Sequence, residues 1–547
     1  MKCLPTTDFN SEIHGGETMK RNVFALILTV LFATAAQAER VIVIMKDQQS
    51  FSSVHQSFKV KGTWNALNSV GEVETALSNL NTLIVDVKDD AGIAQLQANP
   101  LVAYVEKEIF HEGPRPVKGF IATPMAKSKA VTQKQPWGID AVKAPQAWAA
   151  SKQGEGARVL VLDTGIDAAH VSIAKNFEQG MDFTGDSNGS DYTDHVGHGT
   201  HCAGTIAGVK SRSGFTGVAP KAKILAGRVC SENGCSNIAI AQGISWGIAQ
   251  KVDVISMSLG GAWSTPAERD AVQKADQAGI TVVAASGNSG TPRVSYPAAL
   301  PTVIAVGAID NTLKKTDFSQ WGPELAVVAP GAAVVSSVPT GTGREGSVEI
   351  GANGKKVKVL NSTFQGAKEV LTPETNELVA AGLGKPEDFT TAVQGKYALI
   401  SRGEIAFGDK VKNAIAAGAV GVVIYNNAPG LIQGSLTSDG STLSVPVFMV
   451  EQTVGNEIVA ALGKGEVVSA TLQTIATDYA SFDGTSMATP HVAGVAALMK
   501  AANKSLTGAQ VKEILKRTAT PLGPNTANEY GAGLVNAEAA VNAALGN

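Results

Sequence analysis

Three short runs, in the order Asp, His, Ser, carry side chains able to build one nucleophilic centre. Val159-Leu160-Val161-Leu162-Asp163-Thr164-Gly165 ends on a carboxylate, Gly197-His198-Gly199-Thr200-His201-Cys202-Ala203-Gly204 holds an imidazole, and Phe482-Asp483-Gly484-Thr485-Ser486-Met487-Ala488-Thr489-Pro490-His491 holds a hydroxyl. A serine hydroxyl is a poor nucleophile until an imidazole takes its proton, and that imidazole needs a carboxylate to fix its tautomer and stabilise the imidazolium. Residue types and order therefore point to Ser486 as nucleophile, His198 as general base and Asp163 as orienting carboxylate. Attack on an acyl carbon creates an oxyanion. The Asn288 amide, in Thr281-Val282-Val283-Ala284-Ala285-Ser286-Gly287-Asn288-Ser289-Gly290, and the Ser486 backbone N–H are the candidate donors to it.

These side chains need elements that aim them at one point. Asp163 closes an apolar, β-branched run and belongs at the C-terminal end of a buried parallel strand, where α/β sheets place their ligands. His198 and Ser486 are each followed by small and apolar residues at helical spacing, which puts both near helix N-termini. Asn288 follows a buried strand in a Gly-rich turn. The run Ile255-Ser256-Met257-Ser258-Leu259-Gly260-Gly261 offers a strand edge whose glycines leave room for a peptide to pair by main-chain hydrogen bonds. That geometry suits extended polypeptide better than a small ester.

In these four blocks the chain resembles the subtilisin-like serine peptidases, the subtilases, and the likeness runs with interruptions from about Gln135 to the C-terminus. The resemblance implies a three-layer α/β fold around a mostly parallel sheet. It implies Asp163, His198 and Ser486 as the triad and Asn288 as oxyanion donor. Ser258, Leu259, Gly260 and Gly261, with Ala285, Ser286 and Gly287, would be substrate-binding walls, and His201 structural. The chemistry requires no cofactor. The glycines of the walls point to a roomy, apolar first pocket with Ser295 near its base. Taken singly, each block has a plainer reading, since Gly-Thr-Ser suits a helix N-cap and Asp-Thr-Gly an ordinary turn. Two further motifs compete. Gly243-Ile244-Ser245-Trp246-Gly247 matches the nucleophile elbow of α/β-hydrolases, but residues 237–251 read as helix with no strand before the serine, and that class uses the order Ser, acid, His. Gly341-Thr342-Gly343-Arg344-Glu345-Gly346 fits a dinucleotide fingerprint, yet no amphipathic helix follows, so it reads as loop.

With 547 residues, 44% hydrophobic and 17% charged, the chain is long enough for several packed domains and is neither disordered nor a coiled coil. A net charge of -3 gives no electrostatic case for nucleic acid or an anionic membrane, which leaves polypeptide as the partner. Lys20 and Arg21 precede the apolar stretch Val23 to Ala36, and Ala36-Gln37-Ala38 supplies a cleavage pattern before Glu39. Met19 then reads as the start, residues 1–38 as an upstream extension and signal peptide, and the product as secreted, extracellular and off the membrane once the signal is removed. The apolar stretch is too short to span a bilayer comfortably. Of the 4 Cys, Cys3 precedes that start; Cys230 and Cys235 flank the small loop Ser231-Glu232-Asn233-Gly234, favouring a local disulfide in an oxidising compartment. Two cysteines do not complete a zinc site. Cys202 resembles the buried free thiol of proteinase K-like subtilases and reads as a small core residue.

Two modules flank or interrupt the catalytic part, taken as residues 135–345 and 471–547. In residues 39–112, Arg40 to Met45, Thr82 to Val87 and Val102 to Lys107 read as strands, Val70 to Leu80 and Ala91 to Ala98 as helices, which together point to a ferredoxin-like α+β unit. Its position and Val102-Ala103-Tyr104-Val105-Glu106 resemble the inhibitor-type prodomain of subtilases, implying an intramolecular inhibitor whose tail lies in the active site until cut. Residues 113–134, rich in Pro, Lys and Thr, form the processing linker. After Val328-Ala329-Pro330-Gly331 well over a hundred residues intervene before the serine block. Residues 346–470, with Gly395 to Gly403, the helix-like Phe407 to Ala417 and Gly418 to Asn427, resemble a β-rich protease-associated (PA) domain, either a gate or binding surface for polypeptide or a passive spacer. Asp182, Asp186, Asn188, Asp191 and Asp194 crowd the loop before His198 with hard oxygen ligands of the kind calcium takes. Thermitase-like subtilases bind calcium in a similar loop, so a structural calcium stands against a solvated acidic loop. Two other family calcium sites are impaired, by Ser172 and Ala326.

Overall fold

The β-branched runs pair edge to edge as a seven-stranded, all-parallel sheet in the computed structural model, which describes residues 39–59, 70–113, 135–187, 189–211, 214–432, 434–437 and 440–546. The expected signal peptide, nearly all of the processing linker and Asn188 lie outside these residues. Across the sheet the order is Leu325–Pro330, Ile304–Ile309, Thr281–Ala285, Val254–Met257, Arg158–Asp163, Lys223–Arg228, Phe177–Asp182. Both faces are covered, as continuous apolar strands require. Leu160 and Leu162 lie against Gly247 and Gly243 of the helix Asn237–Gln250, whereas Asp163, on the other face by strand alternation, lies against Gly199 of the helix His198–Ala207. Helix, sheet and helix make the three layers that the resemblance implied.

The long helix Thr485–Ala502 packs on His198–Ala207 and on the central strands, and its residues from Thr485 to Lys500 are all buried. Its alanines and glycine allow that approach: Gly494 lies so close to Val218 that a Cβ would come within 2.6 Å of it. Among the described residues no helix is long and apolar enough to cross a membrane.

The N-terminal unit is a four-stranded antiparallel sheet, ordered Gly71–Leu77, Thr82–Val87, Glu39–Met45, Val102–Lys107, with helices Gln48–Lys59 and Asp90–Ala98. This is the ferredoxin-like order. The expected helix over Val70 to Leu80 is instead a strand and a short 3₁₀ turn, Ser78–Leu80. The spacing of Val70, Leu77 and Leu80 imitated a helix, but pairing with Thr82–Val87 prevails, and at Gly71 a Cβ would fall 2.2 Å from the Asp86 carbonyl.

The insert is a nine-stranded sheet with its own two apolar clusters, running from Gly343–Ala352 to Val468–Thr477, and it includes the helix Phe407–Ala416. Arg344 to Gly346, expected as loop, belong to its first strand, which pairs along its length with Val468–Thr477. A two-stranded stalk, Val334–Ser337 against Tyr479–Phe482, returns the chain to the point where it left. The serine helix therefore resumes where an uninterrupted chain would have continued.

Candidate active site

Asp163 and His198 form a buried pair, with the imidazole Nδ1–H donating to the Asp163 carboxylate at 2.7 Å. The strand delivers the carboxylate, and the adjoining loop delivers the helix. Asp194 accepts from the backbone N–H groups of Val196, Gly197 and Thr200 and from the hydroxyls of Thr164 and Thr200, while Thr164 accepts in turn from Gly199 N–H. Asp194 thus takes up the Gly197 and Thr200 N–H groups at the N-terminus of the His198 helix and, through Thr164, ties that turn to the residue after Asp163. Burial is the largest single effect and opposes protonation of His198, but the charge and hydrogen bond of Asp163 together with the contact to Cys202 outweigh it, and the imidazole is held well above its ordinary pKa.

Ser486 sits in the first turn of its helix. Pro490, four residues on, has no N–H to offer the Ser486 carbonyl. That carbonyl is taken up instead by the Ser258 hydroxyl at 2.8 Å and the Cys202 thiol at 3.6 Å. The Ser486 hydroxyl donates to the Ser258 carbonyl at 3.1 Å rather than to His198, whose Nε2 has no partner among the described residues. A serine hydroxyl swings about one torsion, and such bonds tighten only with substrate bound. His198 and Ser486 both lie against Cys202, whose Sγ is 3.9 Å from His198 Nδ1. Burial raises the Cys202 pKa, so the sulfur is a neutral packing group, as expected.

The Asn288 Oδ1 accepts from both the N–H and the hydroxyl of Thr485 at 2.9 Å, which fixes the amide beside the serine turn and leaves Nδ2 as its donor end. Gly287, at φ 108°, admits no side chain, since a Cβ would lie 2.0 Å from Gln320 Oε1. Ser258, Leu259, Gly260, Gly261, Ala285, Gly287, Asn288, Ser295 and Ser486 line one cleft of about 800 Å³; Ser286 is buried behind it, bonded to the Gln320 carbonyl.

The same cleft holds residues the sequence did not flag. Phe110–His111 pairs antiparallel with the hairpin strand Gly234–Ser236, closed by the Cys230–Cys235 disulfide, and His111 lies over Gly261, where a Cβ would meet its Nδ1 at 2.4 Å. His111 and Glu268, both buried, are 2.6 Å apart. Only the Cys-flanked loop hinted at this edge, and nothing in the sequence places it opposite Gly261. The structural role expected for His201 matches its bonds to the Val334 and Ala480 carbonyls and its stacking on Phe482. Ser245 lies mid-helix, bonded to Asn79 of the N-terminal unit, and has neither strand nor base beside it.

The calcium reading of the acidic loop does not fit. Arg228 occupies the loop, bonded to Asp186 at 2.9 Å, to Asp182 at 3.4 Å and to the Asp191 carbonyl at 3.4 Å. Both oxygens of Asp182 are engaged by Thr184 and Ser187, and Asp191, held at a pKa of about 2 by Thr193 and His195, turns to its own loop. A guanidinium already supplies the positive charge. At the two sites expected to be impaired, Ser172 bonds the Tyr479 hydroxyl at 2.7 Å and Ala326 is buried in a strand.

Comparison with known proteins bears on the whole arrangement. The subtilase family model matches residues 154–365 and the PA domain model residues 369–458. Subtilisin E of Bacillus subtilis (strain 168) is 37% identical over 278 residues, 50% of this chain and 67% of the relative. The chain belongs to the subtilase family. M-protease of Shouchella clausii (strain KSM-K16) aligns with this subtilase over 94% of the chain and 96% of its own length at 29% identity. The crystal structure of the psychrophilic subtilisin-like protease Apa1 from Pseudoalteromonas sp. AS-11 superposes with TM-score 0.57 at 29% identity, covering 75% of this chain and 97% of that one. The subtilase is thus a serine protease with an inserted PA domain. Asp163, His198 and Asn288 fall inside the matched family segment, and Ser486 follows the insert.

Proposed function

We propose that this subtilase is made as a secreted, self-processing zymogen and that its mature form hydrolyses peptide bonds in proteins through an acyl-enzyme at Ser486. The observation that carries the reading is the strand Phe110–His111, a peptide paired in extended form in the cleft lined by Ser486 and Asn288. It occupies the cleft as a polypeptide substrate would, by backbone pairing on Gly234–Ser236 with a side chain over Gly261. Further along the same interface Glu106 accepts from Ala267 N–H, Ile109 and Asn237 exchange bonds, and Arg40 reaches Gln242, which supports a prodomain seated as an inhibitor. The disulfide and the signal-like N-terminal sequence support export.

In the proposed cycle the Ser486 hydroxyl turns from the Ser258 carbonyl to His198 Nε2 and attacks the substrate carbonyl as the imidazole takes its proton. Asp163 keeps Nδ1 protonated and stabilises the imidazolium. Asn288 Nδ2 and the Ser486 N–H bind the oxyanion, His198 protonates the departing amine, and water repeats the sequence on the ester. The Ser258 to Gly261 and Ala285 to Gly287 walls hold the acyl side. Replacing Ser486 by Ala is expected to leave the precursor mass unchanged after folding and to abolish casein digestion, whereas the wild-type chain trims itself; undiminished digestion would refute the assignment. Labelling by a fluorophosphonate, expected at Ser486 in the wild-type chain and absent in Ser486→Ala, tests the nucleophile independently of digestion.

A further inference from the structure

A second cavity, of about 550 Å³, lies between the catalytic part and the insert and has no role in the cycle above. Its catalytic wall is made of Val196 and Gly197, immediately before His198, and of Phe482 and Asp483, immediately before the serine turn; its opposite wall is the insert segment Thr363 to Glu369. No residue lines both this cavity and the cleft that holds the Phe110–His111 strand, yet the first is walled by the residues just before His198 and just before the serine turn and the second by Thr485 and Ser486. We propose that this cavity receives the leaving part of the substrate and selects a basic side chain there through the carboxylate of Asp483. The inference rests on Ser486 as nucleophile.

The chemistry of the walls supports it. Asp483 Oδ1 accepts from Ala333 N–H at 2.6 Å, and its second oxygen has no partner among the described residues. Burial raises its pKa, the mark of a carboxylate short of positive charge. The lining arginine, Arg344, is already neutralised by Glu369 at 2.7 Å, and Lys368 is exposed at the rim. Val338, Phe364 and Phe448 supply apolar surface for the aliphatic stem of a lysine or arginine. A cation there would gain a charge-assisted bond to a half-enclosed acceptor.

Acyl transfer reads this side alone. The acyl-enzyme is formed from a peptide ester and offered argininamide or its uncharged analogue citrullinamide. The amine attacks the ester carbonyl and gives its proton to His198; the bond to Ser486 Oγ breaks, and the serine regains that proton. The ratio of aminolysis to hydrolysis is expected to favour argininamide by roughly tenfold, the weight of one charge-assisted hydrogen bond, and Asp483→Asn should erase the preference. Lys368→Glu, on the insert, should raise the preference for Arg-Arg-amide over Arg-citrulline-amide. Equal partitioning in the wild type, or discrimination that survives Asp483→Asn, overturns the selection; an unmoved ratio in Lys368→Glu overturns the part assigned to the insert. An enzyme that still hydrolyses the ester but does not discriminate fails this inference only, whereas one that forms no acyl-enzyme fails the Ser486 reading and this one with it.

Discussion

At the scale of single residues, the pair Asp163–His198 sets when the enzyme works. A general base acts only when neutral, and Asp163 raises the His198 pKa above 6.5 despite full burial, so the imidazole stays protonated to higher pH than a free one. The acid limb of kcat/KM is therefore expected above 6.5, with activity rising as the pH becomes alkaline. In Asp163→Asn the carboxylate charge is gone while burial remains, so the limb should move to lower pH as kcat falls by about 10⁴; a pH profile of the variant checks both. Asn288 has two separable roles. Asn288→Asp keeps the acceptor for Thr485 and loses the Nδ2 donor, and should cost about 10²–10³ in kcat, the magnitude of subtilisin itself. Asn288→Leu loses both and should also lower Tm, which calorimetry would separate from the kinetic loss.

The elements that hold the cleft make a different prediction. The hairpin closed by Cys230–Cys235 bears the strand on which, among the described residues, Phe110–His111 pairs, so its order governs the docking of an extended chain. Opening so small a loop frees roughly 2 kcal/mol of chain entropy, and Cys230→Ser with Cys235→Ser is expected to raise KM for long peptides while a short ester, which does not reach the hairpin, keeps its KM. The same elements explain what the sequence could reveal. Asp163, His198, Asn288 and Ser486 were legible because each stands at the end of a strand or the start of a helix whose apolar period is local. The pairing of Phe110–His111 on Gly234–Ser236, the Asp194 cap and the Arg228 that fills the acidic loop were not, because they depend on which distant segments meet. Gly71–Leu77 was misread for a related reason: its apolar spacing suits either period, and only its partner strand decides. The helix Gln48–Lys59 is not read from the sequence because Phe51 and Val54, buried in the core, are separated by polar residues, with no apolar run among them.

At the scale of the molecule, two buried histidines tie the catalytic part to its surroundings and carry a cost in acid. His201 bonds both stalk strands, at Val334 and Ala480, and His491 fills the space beside Gly138, bonded to the Met487 carbonyl. Burial lowers their pKa values to about 3 and about 4, against 6.5 for a free imidazole. Between those values the unfolded chain binds protons that the folded chain refuses, so stability is complete above 6.5 and is lost as the pH falls toward 4. Each histidine contributes about 1.4 kcal/mol per pH unit within that window. His198, whose pKa is raised, acts in the opposite sense and only above 6.5, so the two effects do not overlap. The free energy of urea unfolding, followed by tryptophan fluorescence between pH 6.5 and 4.5, should fall steeply in the wild-type chain. In His491→Gln, which keeps a donor for Met487 without a titrating ring, the slope should drop by about one proton, and an unchanged slope would mean that the buried imidazole takes up its proton without unfolding.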